Sequence, residues 1–154
     1  MEAVIFVGVQ GSGKTTFYRD RFLHTHVRLS LDLLRTRHRQ RLLLEACLTT
    51  QQRFVIDNTS VLRSERAGYI AASKAAKFQV VGYYFEAELE AALKRNSQRT
   101  GKQLIPAKGV VATFRRLEPP RLEEGFDRLY RVRIGSTNDW IVMREEFSTQ
   151  ESER

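Results

Sequence analysis

The richest chemistry lies near the start, in Gly8-Val9-Gln10-Gly11-Ser12-Gly13-Lys14-Thr15, a G-x-x-x-x-G-K-T run. Each fixed position has a physical reason. Gly8 and Gly13 allow backbone angles and a close approach that a side chain would block. Successive N–H groups from Gln10, Gly11 and Ser12 onward, with the N-terminus of the helix that follows, direct positive partial charge at a phosphate. Lys14 is placed to reach the β- and γ-phosphates, Thr15 to offer its hydroxyl to magnesium, and Thr16 to bond the α-phosphate. The run predicts ATP and Mg2+ as cofactors.

Three further groups bear on what the phosphate is transferred to. Phe54-Val55-Ile56-Asp57-Asn58-Thr59 reads as an apolar strand ending in one acid, at the carboxyl edge where an open α/β sheet places its ligands. Asp57 could orient magnesium's water shell or an attacking hydroxyl, although Asp-Asn is also a common turn. Asp32 and Arg35 are three apart and share a face if the segment is helical. The carboxylate could accept an acceptor hydroxyl's proton and the arginine hold an anionic group of the same molecule; an exposed ion pair would look the same. Arg95 and Arg99, four apart before the hinge-like Gly101–Pro106 stretch, suit a closing lid that brings charge onto the phosphoryl group and excludes water. A solvated basic helix end is the plain alternative. No N-K-x-D run favours a GTPase, and the single acid after the third strand argues against a motor ATPase.

These groups need a scaffold that gathers loops at one edge. Ala3–Val7 is a buried strand, followed by a helix over Lys14–Phe22 and a short strand at Val27–Leu29. Ser30 can cap a helix through Asp32, Leu33 and Leu34, and Arg41–Thr50 is a further helix. Phe54–Ile56 and Gln79–Phe85 are strands, with helices at Arg63–Lys77 and Ala87–Gln98. The lid spans about 99–120 and contains a short helix at Val111–Leu117. Tyr130–Ile134 is a last inner strand, Trp140–Met143 an edge strand, and 148–154 a frayed tail. The alternation predicts an α/β, three-layer P-loop NTPase fold with a mostly parallel central sheet and a helical lid, as one domain over 1–147.

The composition, 42% hydrophobic and 29% charged, fits a globular domain of 154 residues. No apolar run is long enough for a membrane helix. The opening residues carry no secretory pattern, and Cys47 is the only cysteine, so a reducing cytoplasm is expected. The net charge of +8 implies an anionic partner or a generally basic surface. Arg35, Arg37, His38, Arg39 and Arg41 could track an acceptor's phosphates or form a solvated face. His24 and His26 lack acidic or cysteine companions and read as surface residues rather than metal ligands.

The Gly8–Thr15 loop, Asp32-x-x-Arg35, Asp57-Asn58-Thr59 and Arg95-Asn96-x-x-Arg99 occur in that order over about residues 3–134. In this the chain resembles polynucleotide 5′-hydroxyl kinases, within the adenylate-kinase-like P-loop kinases. The resemblance implies that Asp32 is the general base for a 5′-hydroxyl and that Arg35 binds the adjacent phosphate. It implies that Asp57 organises the acceptor side, and that Arg95 and Arg99 act on ATP's phosphates or adenine. A nucleic-acid 5′-end is then the expected substrate. Many such kinases carry a second end-healing domain, for which no room is expected here, so a separate end-healing or ligase partner would complete the task. Zeta-toxin-like, nucleoside and other small-molecule kinases share part of the pattern, and a regulatory ATP-binding module is the non-enzyme reading.

Overall fold

The uninterrupted apolar runs Ala3–Val7 and Phe54–Ile56, too short for helices, become inner parallel strands of a single sheet. The computed structural model describes residues 1–147, and the tail expected at 148–154 lies outside the described residues. Strands β1 (Glu2–Val7), β2 (Val27–Leu29), β3 (Phe54–Ile56), β4 (Gln79–Phe85), β5 (Arg128–Ile134) and β6 (Trp140–Arg144) order as β2-β3-β1-β4-β5-β6. The first five are mutually parallel, and β6 runs antiparallel along β5, the edge strand expected there. β1 sits at the centre, with Val4 opposite both Val55 and Val81. Its residues from Ala3 to Val7 are fully buried because both faces are covered, which is why the run shows no alternation.

Alternate residues feed two cores. Val4 and Phe6 join Val55, Phe85 and Val132 beneath helix α1 (Lys14–Arg21), which contributes Phe17 and Tyr18. Ala3, Ile5 and Val7 join Phe54, Ile56 and Val80 on the other face. Helices α3 (Arg37–Thr50) and α4 (Arg63–Ala75) cover that face with Leu44, Cys47 and Ile70. The short helix α2 (Leu31–Leu34) follows β2, while α5 (Leu89–Ser97) and α6 (Ala107–Arg116) stand after β4. The result is the expected three-layer α/β fold with a mostly parallel sheet.

Two helix starts lie earlier than apolar periodicity indicates. α3 begins at Arg37 because Thr36 Oγ1 accepts from Arg39 N–H at 3.1 Å, an N-cap followed by solvent-facing residues that carry no apolar mark. α6 begins at Ala107, directly after Pro106. His26 is not a surface residue: its ring is largely covered, between Thr25 Oγ1 at 2.7 Å and Glu2 Oε1 at 3.2 Å.

One guanidinium is held wholly out of water. Arg66 of α4 is 0% exposed and donates through Nε and Nη2 to both carboxylate oxygens of Glu124, at 2.8 and 3.1 Å. Its Nη1 donates to the carbonyls of Ser60 and Val61, at 2.9 and 3.0 Å. Removing one partner of such a pair strands a buried charge, whereas removing both leaves none. Glu124→Ala should therefore destabilise the fold by about 3–5 kcal/mol. In urea denaturation, an Arg66→Met, Glu124→Leu double variant should lose less than that single variant.

Candidate active site

The phosphate loop joins the centre of the sheet to α1, and its glycines meet hard limits. Gly13 caps α1 with φ 97°, in the left-handed region. Gly11 has φ 78°, and a Cβ there would lie 2.4 Å from the Ala92 carbonyl oxygen of α5. Gly8 N–H donates to Thr59 O at 3.0 Å, tying the loop to the segment after β3. The Gln10 side chain donates through Nε2 to Thr113 Oγ1 of α6 at 3.2 Å, and its buried Oε1 has no partner among the described residues.

Lys14 is folded across its own loop. Its ammonium donates to the carbonyls of Gly8 and Val9, each at 2.8 Å. Burial pushes its pKa down to about 8, against the raising effects of Asp57 and Asp32, while Arg99 adds to the lowering. All three residues selected from sequence thus lie within electrostatic reach of this ammonium. Arg95 does not join them. It lines a cavity of about 610 Å³ at the carboxyl ends of β4 and β5, with Val9, Phe85, Ala91 and Ile134. The two arginines therefore divide: Arg95 borders the cavity, while the charge of Arg99 bears on the Lys14 ammonium. Asn96, between them and 3% exposed, bonds Ile105 O at 2.6 Å and Ile105 N–H at 3.1 Å. One side chain thereby joins the two ends of the 97–104 stretch, at the start of the lid.

Asp57 ends β3 with its side chain 2% exposed. Its Oδ2 accepts from Thr15 Oγ1 at 3.1 Å and from Arg28 Nε at 2.7 Å. Arg28 Nη2 also donates to Thr15 Oγ1 at 3.3 Å. A hydroxyl and a carboxylate in contact fit magnesium, which takes few protein oxygens and completes its shell with phosphates and water. Among the described residues no cluster of three or more His, Cys, Asp or Glu could hold a metal alone. Thr15 would ligate the ion and Asp57 would act beside it. Arg28 was not singled out from sequence, although a charge inside the short Val27–Leu29 strand was a signal that it needs a partner.

Asp32 sits exposed in the first turn of α2, and its charge acts to raise the Lys14 pKa against burial. Ser30 takes the N-cap position but makes no cap bond, and its buried hydroxyl has no partner among the described residues. Asn58 supplies the bond instead, its Oδ1 accepting Leu31 N–H at 2.9 Å. Asn58 Nδ2 donates to Gln40 Oε1 at 2.8 Å, and Gln40 Nε2 to Tyr69 Oη at 2.7 Å. Arg35 departs from expectation: it does not share a helical face with Asp32. α2 ends at Leu34, and Arg35 is its C-cap with φ 72°, because the chain must turn before Thr36 opens α3.

A family model described as an AAA domain matches residues 4–120. The chain belongs to the AAA domain family. The described residues of this AAA domain contain no helix long and apolar enough to cross a membrane. Its fold is shared with Kti12 of Chaetomium thermophilum, solved in complex with ADP-AlF3. That protein has 15% identity and a TM-score of 0.68, over 88% of this chain and 92% of that one. A gluconokinase from Sinorhizobium meliloti 1021 has 18% identity and a TM-score of 0.58, over 84% and 82%. A sugar kinase from Janibacter sp. HTCC2649 has 19% identity and a TM-score of 0.62, over 85% of each chain. The AAA domain thus carries its phosphate loop on the fold that these proteins share.

Phosphates brought to Lys14 favour its charged form and raise its pKa, so nucleotide binding should take up protons wherever the free ammonium is partly neutral. From a starting pKa of about 8, uptake should be roughly half a proton at pH 8 and should approach one at pH 9. Calorimetry in buffers of different ionisation enthalpy measures it. No uptake at pH 9 would mean that Lys14 stays charged in the free protein.

Proposed function

We propose that this AAA domain transfers the γ-phosphate of ATP to a hydroxyl group of a small anionic molecule, with Asp32 as general base. The observation that carries the reading is the phosphate loop itself, with Lys14 folded over its carbonyls and Thr15 bonded to the buried Asp57, at a place where the Lys14 ammonium also feels the charges of Asp32 and Arg99. The gluconokinase and the sugar kinase, whose folds match over most of both chains, support a small acceptor. Specificity for such an acceptor resides in side chains rather than in the fold.

On nucleotide binding Lys14 exchanges the Gly8 and Val9 carbonyls for the β- and γ-phosphate oxygens. Asp32 accepts the hydroxyl proton as the acceptor oxygen bonds to the γ-phosphorus and the bond to the β-phosphate oxygen breaks. Arg99 stabilises the charge on the transferring group, Arg95 borders the nucleoside, and Arg35 holds the acceptor's anionic group. Magnesium, when bound, would neutralise charge on the β- and γ-oxygens.

A second reading, transfer to the 5′-hydroxyl of DNA or RNA, is favoured by one observation. Arg35, Arg37, His38, Arg39 and Arg41 are all exposed, and the first turn of α3 holds no acid. Positive charge at a helix N-terminus opposes the dipole unless an anion joins it.

Incubation with γ-labelled ATP and magnesium tests both readings. The acceptors are gluconate and other sugar acids, nucleosides and mononucleotides, and 5′-hydroxyl DNA and RNA oligonucleotides. Label on a small acceptor is the expected outcome, label confined to oligonucleotides moves the conclusion to the second reading, and label on none sinks transfer. Asp32→Asn should lower the rate by about 10²–10⁴-fold with nucleotide affinity retained. Transfer at the normal rate would remove Asp32 from the base role.

A further inference from the structure

Arg28 stands where the metal has to be served. Its side chain leaves β2 beside β3, and its Nε donates to Asp57 Oδ2 at 2.7 Å. Its Nη2 donates to Thr15 Oγ1 at 3.3 Å. The Thr15 hydroxyl already gives its proton to Asp57, so Nη2 takes up a lone pair that the hydroxyl would offer to a metal. Asp57 is almost wholly buried, and a buried carboxylate requires a cation. Lys14 does not pair with it directly, because its ammonium is committed to the Gly8 and Val9 carbonyls. Arg28 therefore neutralises Asp57 and covers the donor oxygen of Thr15 together.

We propose that Arg28 is a resident cation at the metal position, one that must release Thr15 and Asp57 before magnesium–nucleotide can load, and that it thereby sets the magnesium requirement for loading. The guanidinium has somewhere to go: its side chain is 22% exposed on a strand at the edge of the sheet. This inference rests on the donor half of the proposed function, the binding of a nucleoside triphosphate, and is independent of the acceptor.

Two opposite effects should follow from removing the charge. Without metal, Asp57 is left uncompensated beside the incoming phosphates, so nucleotide binds more weakly. With metal, no competitor remains, so less magnesium is needed.

The test is calorimetric titration of the full chain with ADP and with a non-hydrolysable ATP analogue, in EDTA and across magnesium concentrations. Wild type, Arg28→Gln and Arg28→Lys are compared, and no acceptor is present. In Arg28→Gln the affinity gained on adding magnesium should grow by about tenfold, since a charged hydrogen-bonded pair is removed from one side of the exchange. The magnesium midpoint should fall. Arg28→Lys, which keeps the charge but cannot bond both partners through a fork, should lie between. Equal weakening with and without magnesium would make Arg28 a phosphate ligand and overturn the inference, as would an unchanged magnesium dependence. If Arg28→Gln does not fold, the lysine variant decides: a lower midpoint supports the inference, and an unchanged or higher one overturns it. A wild-type chain that binds no nucleotide overturns both this inference and the donor half of the function. One that loads as expected but labels no acceptor loses only the transfer.

Discussion

The Arg66 guanidinium, bonded on every side and closed off from water, fixes the segment on which the candidate site is assembled. Two of its hydrogen bonds go to the Ser60 and Val61 carbonyls, and Glu124 balances its charge. Residues Asp57–Val61 then act as a hub. Asp57 meets Thr15 and Arg28, Asn58 holds the start of α2, and Thr59 O receives the first N–H of the phosphate loop. Val61 O also takes Glu118 N–H from the segment that follows α6. A parallel sheet brings loops to its carboxyl edge but does not fix them against one another; here a buried charge does so.

The same hub explains how an exposed four-residue helix can present Asp32 in a defined place. α2 has no fully buried residue, and of its side chains Leu34 packs partly buried on the core. Its first N–H is instead held by Asn58, which is braced in turn by Gln40 and Tyr69 from the two helices behind it. The start of the helix that carries Asp32 is thus set by a chain of neutral hydrogen bonds rather than by helix stability. That leaves the solvent side of α2 and α3 free to vary with the acceptor, in keeping with one fold serving proteins as different as Kti12 and a gluconokinase.

What could be read from the sequence were features whose cause is local. The loop Gly8–Thr15 declares itself through glycines at fixed spacing, and the strands Phe54–Ile56 and Gln79–Phe85 through short, largely apolar runs. Asp57 was visible because a strand end is a definite place. The partners of these residues were not, since they meet only after the sheet forms: Arg28 and Asp57 are 29 residues apart, Arg66 and Glu124 58. Arg35 shows the limit most clearly. The three-residue spacing from Asp32 suggested a shared helical face, yet a left-handed turn demanded by the next helix takes it off that face. Gln10, read as part of the cradle, serves with its side chain to dock α6.

Because Asn96 grips both the N–H and the carbonyl of Ile105, the intervening chain is a loop sewn shut at its base. Its length is then decoupled from the rest of the domain: closing a loop twice as long costs only about 0.6 kcal/mol more in chain entropy. Residues added or exchanged between Ser97 and Leu104 would leave α5, α6 and the phosphate loop in register. The stretch that follows Arg99 is therefore the part of this fold most open to evolutionary trial, where a descendant could acquire a new covering for the candidate site without disturbing the phosphate loop.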